Sequence, residues 1–176
     1  SERLLKLLLM KKVLIHQSNL LTKNTNFILG VLGKPHGLNG YMYLNHDVYF
    51  RKYDLTDLEV IINDSEYIIQ SFKPHLKDRY LVQFKGFESI NDIEKFRNKN
   101  VYITSSEISR FMNDDLPWPG FFIKDTLNSK YRIDNYFYAD DLIFLTINDD
   151  IVIPYNREFF KYEDRKLQLT NFDLIK

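Results

Sequence analysis

The sequence predicts an all-β protein built from two small β-barrel domains of unequal size. Short apolar runs recur about every eight to twelve residues between polar turns, which is typical of small barrels. Aromatic residues are abundant, with 14 Phe and 12 Tyr among 176 residues, and aromatic side chains favour sheet over helix. Residues 105–119 interrupt the strand pattern with Asn-Asp-Asp and Pro-Trp-Pro sequences, so they form the predicted domain junction, and the domains divide near residues 105–118.

The first 26 residues stand apart from this pattern. The apolar run at residues 4–10 is interrupted by Lys6 and is too short to span a bilayer. No small-residue cleavage site follows it, as a secretory signal would require. We therefore interpret residues 1–26 as a poorly ordered leader with Met10 as an alternative start, and a secretory signal is the other interpretation. The predicted domains are residues 27–106 and 119–176, joined by a linker at 107–118.

In the first domain, apolar runs of strand length alternate with turn sequences. Residues 79–84 alternate polar and apolar side chains, as a half-buried strand does, and the polar loop 63–66 has the length of a hairpin turn. One helix is expected at residues 89–98, because Ser89 can cap it and Asp92 lies near its positive end. The predicted strands are residues 27–32, 38–45, 58–62, 67–69, 79–84 and 101–104.

The second domain begins with a concentration of aromatic residues. Trp118, Phe121 and Phe122 follow one another closely beside the junction. Adjacent residues of a strand point to opposite faces, so one Phe is expected to face outward as a binding anchor. The alternative is that the neighbouring domain shields both rings. The further predicted elements are strands at residues 131–133, 142–147, 151–153 and 167–169, and a short helical turn at 156–162.

The charge balance argues against a protein that holds bare RNA as its main partner. The formal net charge is zero, and residues 107–176 carry thirteen acidic and nine basic side chains. Proteins that bind RNA through its phosphates normally carry a basic excess, so a protein surface is the expected primary partner. The absence of cysteine excludes disulfides, thiolate zinc sites and cysteine nucleophiles.

Four of the six glycines fall within residues 30–40. The segment has neither a P-loop sequence nor a Gly-x-Gly-x-x-Gly motif that opens a helix. Pro35 should hold Lys34 extended, Gly37 permits a left-handed turn, and Asn39-Gly40 is a strong hairpin signal. Two interpretations remain open: a tight turn that only closes a barrel, or a rigid exposed loop that presents Lys34 and His36.

Histidine and acidic residues do not form a predicted catalytic or metal site. His36 could act as a general base only beside a nucleophile, and none is evident in the sequence. The other histidines, His16, His46 and His75, also lack metal-ligand spacing. The acidic pairs at 114–115, 140–141 and 149–150 lie in turn sequences without a calcium-loop pattern. We therefore expect no catalytic residue, no metal and no cofactor.

Four sequence blocks stand out by their order and spacing. Residues 33–40 read Gly-Lys-Pro-His-Gly-Leu-Asn-Gly, and residues 84–87 read Phe-Lys-Gly-Phe before the predicted helix and a strand. The second domain contains the Phe121-Phe122 pair with Asp125, and an Ile153-Pro154-Tyr155 segment that leads to Phe159-Phe160. In these four blocks, over residues 27–176, the chain resembles the RimM family of ribosome maturation factors.

The resemblance implies a six-stranded N-terminal barrel followed by a PRC-type barrel, with one or two short helices. It implies a cytoplasmic, monomeric, non-enzymatic factor that binds the free small (30S) ribosomal subunit. The main contact would be a ribosomal protein of the head, with nearby 16S rRNA as a further contact, and the outcome would be head maturation and 16S rRNA processing. The implied partner-binding residues are Gly33, Lys34, Pro35, His36, Gly37, Gly40, Phe121 and Phe122.

The second domain departs from the family pattern at two places. The family's Tyr-Tyr pair is replaced by Phe121-Phe122, which keeps the apolar area but lacks both hydroxyls. The Asp-Leu-Ile-Gly step that follows in the family is Asp-Thr-Leu-Asn at residues 125–128. A different function that fits the sequence is a barrel that binds RNA directly through Lys, Arg and Tyr. An enzyme with His36 as base and a PRC-type module of another complex are two further interpretations.

Overall fold

The computed structural model describes residues 2–6, 25–110 and 116–171. The chain divides into two compact units between Phe111 and Met112. Residues 2–6 are helical, and the rest of the predicted leader up to residue 24 lies outside the described residues. Within the described part of the chain, no helix has the length and apolar character needed to cross a bilayer.

The first unit contains a closed barrel of six antiparallel strands, as the sequence predicts. The strand order around the barrel is β1-β2-β5-β4-β3-β6, so the first strand also pairs with the last. Alternate side chains such as Leu32, Met42 and Val82 are fully buried inside, because successive residues of a strand face opposite sides. The strands are β1 (Asn26–His36), β2 (Tyr41–His46), β3 (Glu59–Ile62), β4 (Ser65–Pro74), β5 (Tyr80–Phe84) and β6 (Asn100–Thr104).

Short helices connect the barrel strands. Helix α1 (Ile90–Ile93) continues as a 3-10 turn at Glu94–Phe96, which is shorter than the helix predicted at residues 89–98. Ser89 occupies the N-cap position, but its hydroxyl donates to the Asp92 carboxylate at 2.8 Å and accepts no backbone N–H. Packing of the buried Phe96 ring against Phe84 and Phe87 holds the segment instead. A 3-10 turn at Val48–Lys52 lies between β2 and β3, and helix α2 (Ser105–Ser109) follows β6, the last strand of the barrel.

His46 is a buried histidine of the first barrel and should make its stability pH-dependent. Its ring packs edge-on against Phe72 and Tyr80, and no described residue bonds its Nε2 atom. Burial lowers the pKa of His46, with the Arg51 charge acting in the same direction. As the pH falls, His46 is therefore protonated in the unfolded chain before it is protonated in the folded protein. Its contribution to the free energy of unfolding is full above about pH 6.5 and decreases below that pH.

We expect this loss to reach up to about 1.4 kcal/mol per pH unit. Urea unfolding between pH 7.5 and 5 should show it, and His46→Phe should flatten the profile, because the apolar ring takes up no proton. An unchanged slope in His46→Phe would assign the acid sensitivity to other groups.

The second unit is a half-barrel that consists of a four-stranded sheet and a hairpin. The sheet order is β10-β9-β8-β7, and the β11–β12 hairpin packs on the same core. The Asn128 side chain joins the two parts, because its amide donates to the Leu169 carbonyl at 2.9 Å and its oxygen accepts the Leu169 N–H. The strands are β7 (Thr126–Leu127), β8 (Tyr131–Ala139), β9 (Leu142–Ile147), β10 (Ile151–Pro154), β11 (Phe160–Glu163) and β12 (Lys166–Leu169).

The helical turn predicted at residues 156–162 is a simple turn followed by β11. The Asn156 side chain accepts the backbone N–H groups of Glu158 and Phe159. This local bonding competes with helix continuation. The chain becomes extended at Phe160, whose ring is fully buried in the core of the unit. The all-β fold class with a few short helices is thus confirmed.

Candidate functional site

The glycine-rich segment is partly a bulged strand and partly a turn. Pairing of β1 with β2 shifts between Leu32 and Pro35, so Gly33 and Lys34 both lie opposite Tyr43. A Cβ atom at Gly33 would lie 3.3 Å from the Tyr43 Cβ, which is tighter than an ordinary contact. Pro35 is half-buried opposite Met42 and Lys34 is exposed. Glycine therefore permits the bulge to lie close against β2.

Residues 37–40 form a turn that is bound to the loop before α1. The Leu38 carbonyl accepts the Ile90 N–H at 3.0 Å, and the Asn39 carbonyl accepts the Gln83 side-chain amide at 2.6 Å. Gly37 and Gly40 both have left-handed φ values, +70° and +86°. A Cβ at Gly37 would have nothing within 4 Å, whereas a Cβ at Gly40 would overlap the Phe87 carbonyl oxygen. The turn is therefore a fixed support for the end of β1, where His36 lies.

His36 belongs to a group of rings on the outer wall of the barrel. Its Nδ1 lies 3.2 Å from the Tyr43 hydroxyl, and its ring centroid lies 4.4 Å from that of His75. The Arg79 guanidinium lies 3.6 Å from the centre of the Tyr43 ring. Lys73 places its ammonium 4.3 Å from the centre of the Tyr41 ring. We call these six residues (His36, Tyr41, Tyr43, Lys73, His75 and Arg79) the cationic cluster.

The cationic cluster is electropositive. Desolvation lowers the pKa of His75, and the nearby His36, Arg79 and Lys73 lower it further. The polar side chain that contacts His36 is the Tyr43 hydroxyl. No group of histidine and acidic residues in the described part of the chain could hold a metal ion. The positive charge of Lys73 and Arg79 beside the histidine rings is suited to binding an anion.

Phe121 and Phe122 lie in a 3-10 turn, Pro119–Phe122, and the expected strand is absent there. Pro119 starts the turn, and a Cβ at Gly120 would overlap the Trp118 indole, so the turn wraps tightly around that ring. The strand argument for one inward and one outward ring therefore does not apply. Phe122 is only 5% exposed in the core of the second unit, and Phe121 is half-buried at its edge, against Trp118.

An exposed apolar face on the second unit was not predicted from the sequence. Residues 137 and 144 pair across β8 and β9, and their rings stack at 5.4 Å. Phe137 is 42% exposed, and on the same side Leu142 is 58% and Val152 52% exposed. We call Phe137, Leu142, Phe144 and Val152 the apolar face. In the sequence, this face corresponds to apolar residues at every second position of β8 and β9. The core residues between them, such as Leu145 and Ile147, are also apolar, so the alternation was not recognised.

Acidic turns lie at both ends of this sheet. Asp140 and Asp141 form the β8–β9 turn with left-handed backbones, and residues 149 and 150 lie in the β9–β10 turn. Arg132 pairs with Asp134 at 2.6 Å and with Asp149 at 3.0 Å, and the hydrogen bond from Arg132 lowers the pKa of Asp134. Asp140, Asp141 and Asp150 form no ion pair within the described residues. The apolar face is therefore bordered by uncompensated negative charge.

The predicted contact residues fall into two groups on different units. The first unit holds the residues of the 33–40 segment, where Lys34 is exposed, His36 half-buried and Gly40 buried. The second unit holds Phe121 and Phe122. The sequence did not predict that His75 contacts His36 or that Arg79 lies over Tyr43, because these contacts depend on the pairing of β2 with β5.

Several known proteins are similar to this chain. Residues 27–108 match the family model described as RimM N-terminal domain. The chain is 25% identical over 164 residues to "Ribosome maturation factor RimM" of Thermosipho melanesiensis, covering 78% of this chain and 85% of that protein. It is 31% identical over 85 residues to "Ribosome maturation factor RimM" of an Exiguobacterium species. This match covers 46% of this chain and 49% of that protein.

Two solved structures are also similar. The N-terminal domain of RimM from Thermus thermophilus matches with a TM-score of 0.41 and 14% identity, covering 47% of this chain and 93% of that one. A RimM protein from Pseudomonas aeruginosa, titled a 16S ribosomal RNA processing protein, matches with a TM-score of 0.40 and 10% identity, covering 82% and 96%. Residues 27–108 therefore belong to the RimM N-terminal domain family, and the sequence relatives support the RimM family for the longer chain.

Proposed function

We propose that the protein is a non-enzymatic assembly factor of the small ribosomal subunit. It binds the free subunit in the cytoplasm, contacts a ribosomal protein of the head, and promotes head maturation and 16S rRNA processing. Membership of the RimM family supports the ribosomal setting, since its sequence relatives are named ribosome maturation factors. The chemistry of its surfaces supports the particular contact.

The observation that carries the proposal is the apolar face with its acidic border. An exposed apolar patch with a polar rim is typical of a protein-binding surface. Ribosomal proteins are basic because they hold rRNA phosphates, and a basic partner complements the carboxylates of Asp140, Asp141 and Asp150. Phe137 is the central aromatic anchor, because its ring stacks on Phe144 and remains accessible.

The contact residues implied by the family resemblance have different roles in this proposal. Lys34, His36 and Phe121 have accessible atoms that a partner can touch. Gly33, Pro35, Gly37 and Gly40 shape the segment that holds Lys34 and His36. Phe122 supports the second unit from within its core.

Co-sedimentation with purified ribosomal particles tests the proposal. The protein should sediment with free small subunits and be depleted from assembled ribosomes, and cross-linking should recover a basic ribosomal protein of the head. A strain that lacks the gene should accumulate unprocessed 16S precursor. Normal subunit profiles and normal precursor levels in that strain would contradict the proposal.

A further inference from the structure

We propose that the cationic cluster of the first unit binds single-stranded RNA, with Lys73 and Arg79 on its phosphates and the histidine rings beside its bases. This site is separate from the protein-binding face of the second unit. It assigns a partner to the end of β1, where the glycine-rich segment places His36.

The cluster lies outside the barrel and is held in place by its own packing. Met42 faces the interior of the barrel, so its neighbours Tyr41 and Tyr43 face outward, as alternation along a strand requires. Tyr43 is nevertheless only 6% exposed, because His36, His75 and Arg79 cover its ring. The cationic groups therefore form an ordered layer on the barrel wall, and little ordering is needed when an anion binds.

The two strong cations of the cluster lack carboxylate partners. Other cations of this unit have them: Lys85 pairs with Asp57, Arg97 with Glu94, and Arg110 with Glu107, at 3.0–3.4 Å. Lys73 and Arg79 instead lie over tyrosine rings and form no ion pair within the described residues. A phosphate can approach them without displacing an existing ion pair.

A nucleic acid strand can bind both the cations and the histidine rings of the cationic cluster. Phosphates match the Lys73 and Arg79 charges, and the half-buried rings of His36 and His75 offer edges and faces on which bases can stack. The zero net charge of the chain does not oppose this contact, because charges beyond about 8 Å are screened at physiological salt. What matters is the local charge, which is positive.

Fluorescence anisotropy with a labelled polyuridine RNA of about 12 nucleotides tests this site in the full chain. We expect Lys73→Gln/Arg79→Gln to bind at least tenfold more weakly at low salt. The slope of log affinity against log salt should decrease in magnitude by about 1.4 in this variant, since each phosphate contact of a single strand contributes about 0.7 to it.

The matched control is Lys85→Gln/Lys95→Gln, which removes the same charge. Lys85 follows the far end of β5 from Arg79, roughly 20 Å away by strand rise.

Acidification supplies a second readout of the same site. Affinity of the wild-type protein for the RNA should rise as the pH falls below about 6.5, because His75 gains a proton facing the phosphates. The groups around His75 are His36, Tyr43, Lys73 and Arg79. Desolvation and the charges of His36, Arg79 and Lys73 lower the pKa of His75 in the free protein, so a bound phosphate should raise that pKa. His75→Gln should remove most of the pH effect while retaining salt-dependent binding.

Three results would overturn the proposal. The wild-type protein could fail to bind the RNA at low salt, the test and control variants could lose the same amount of RNA affinity, or the wild type could bind a duplex RNA as tightly as the single strand. If Lys73→Gln/Arg79→Gln fails to fold by circular dichroism, Lys73→Gln alone replaces it, since Lys73 is exposed, and the expected change of slope is then about 0.7. Lost RNA binding with normal co-sedimentation would leave the proposed function intact, and the reverse result would leave this site intact.

Discussion

Phe137→Ser/Leu142→Ser is expected to weaken binding to the free small subunit by about a hundredfold, with little change in stability. The two side chains are exposed, at 42% and 58%, so their removal leaves no internal cavity. An aromatic anchor and its apolar neighbour together contribute about 2.7 kcal/mol or more at a typical interface. Sedimentation at increasing subunit concentration measures the loss directly.

The matched control for this loss is Ile28→Ser/Ile68→Ser. These residues are 51% and 39% exposed on the first barrel, so the variant removes similar apolar area from the other unit. We expect it to sediment with the subunit as the wild-type protein does. Equal affinity of the Phe137→Ser/Leu142→Ser variant and the wild type would show that the apolar face is not the docking surface.

Gly40→Ala should destabilise the protein by about 3 kcal/mol. The left-handed backbone at φ +86° accounts for about 1–2 kcal/mol, and the added methyl group overlaps the Phe87 carbonyl oxygen, which belongs to backbone and cannot rotate away. Because Leu38 and Asn39 bind the same neighbouring segments, the whole turn must shift. Urea unfolding monitored by circular dichroism gives the free energy change.

Gly37→Ala separates backbone strain from crowding at this turn. Gly37 has a similar φ of +70° but nothing within 4 Å of a built Cβ, so we expect a loss of only about 1 kcal/mol. Similar losses in the two variants would mean that contact with the Phe87 loop contributes nothing to the cost.

The sequence predicted the strands better than the surfaces. Residues 79–84 were predicted as a half-buried strand, and the strand appears as β5. Its burial was underestimated, because Leu81 to Phe84 are all buried and both faces of the strand are therefore covered. The helix at 89–98 was overestimated, since the stripe of Ile90, Ile93 and Phe96 fits both a regular helix and a 3-10 turn packed by aromatic rings. At Phe121, Pro119 imposed a 3-10 turn on a sequence whose apolar content favoured a strand.

The candidate surfaces depend on contacts between distant parts of the chain. His36 was singled out beside Lys34, but the tilted contact with His75 and the Arg79 stack on Tyr43 arise only when β1, β2, β4 and β5 are neighbours in the barrel. The aromatic pair Phe137–Phe144 likewise needs the β8–β9 register. A pattern along the chain reports which side a residue faces, but it does not report what lies across a sheet.

Closure of the first barrel by its terminal strands has a consequence for synthesis of the protein. Asn26 pairs with Thr104 and Val31 with Asn100, so β1 is bordered on one side by the last strand of the unit. During translation β1 must wait, with that edge unsatisfied, until Thr104 has left the ribosome. Pairing across such a sequence separation is slow. The nascent barrel is therefore exposed to intermolecular strand pairing until its final residues emerge, and its folding should be concerted and late in synthesis.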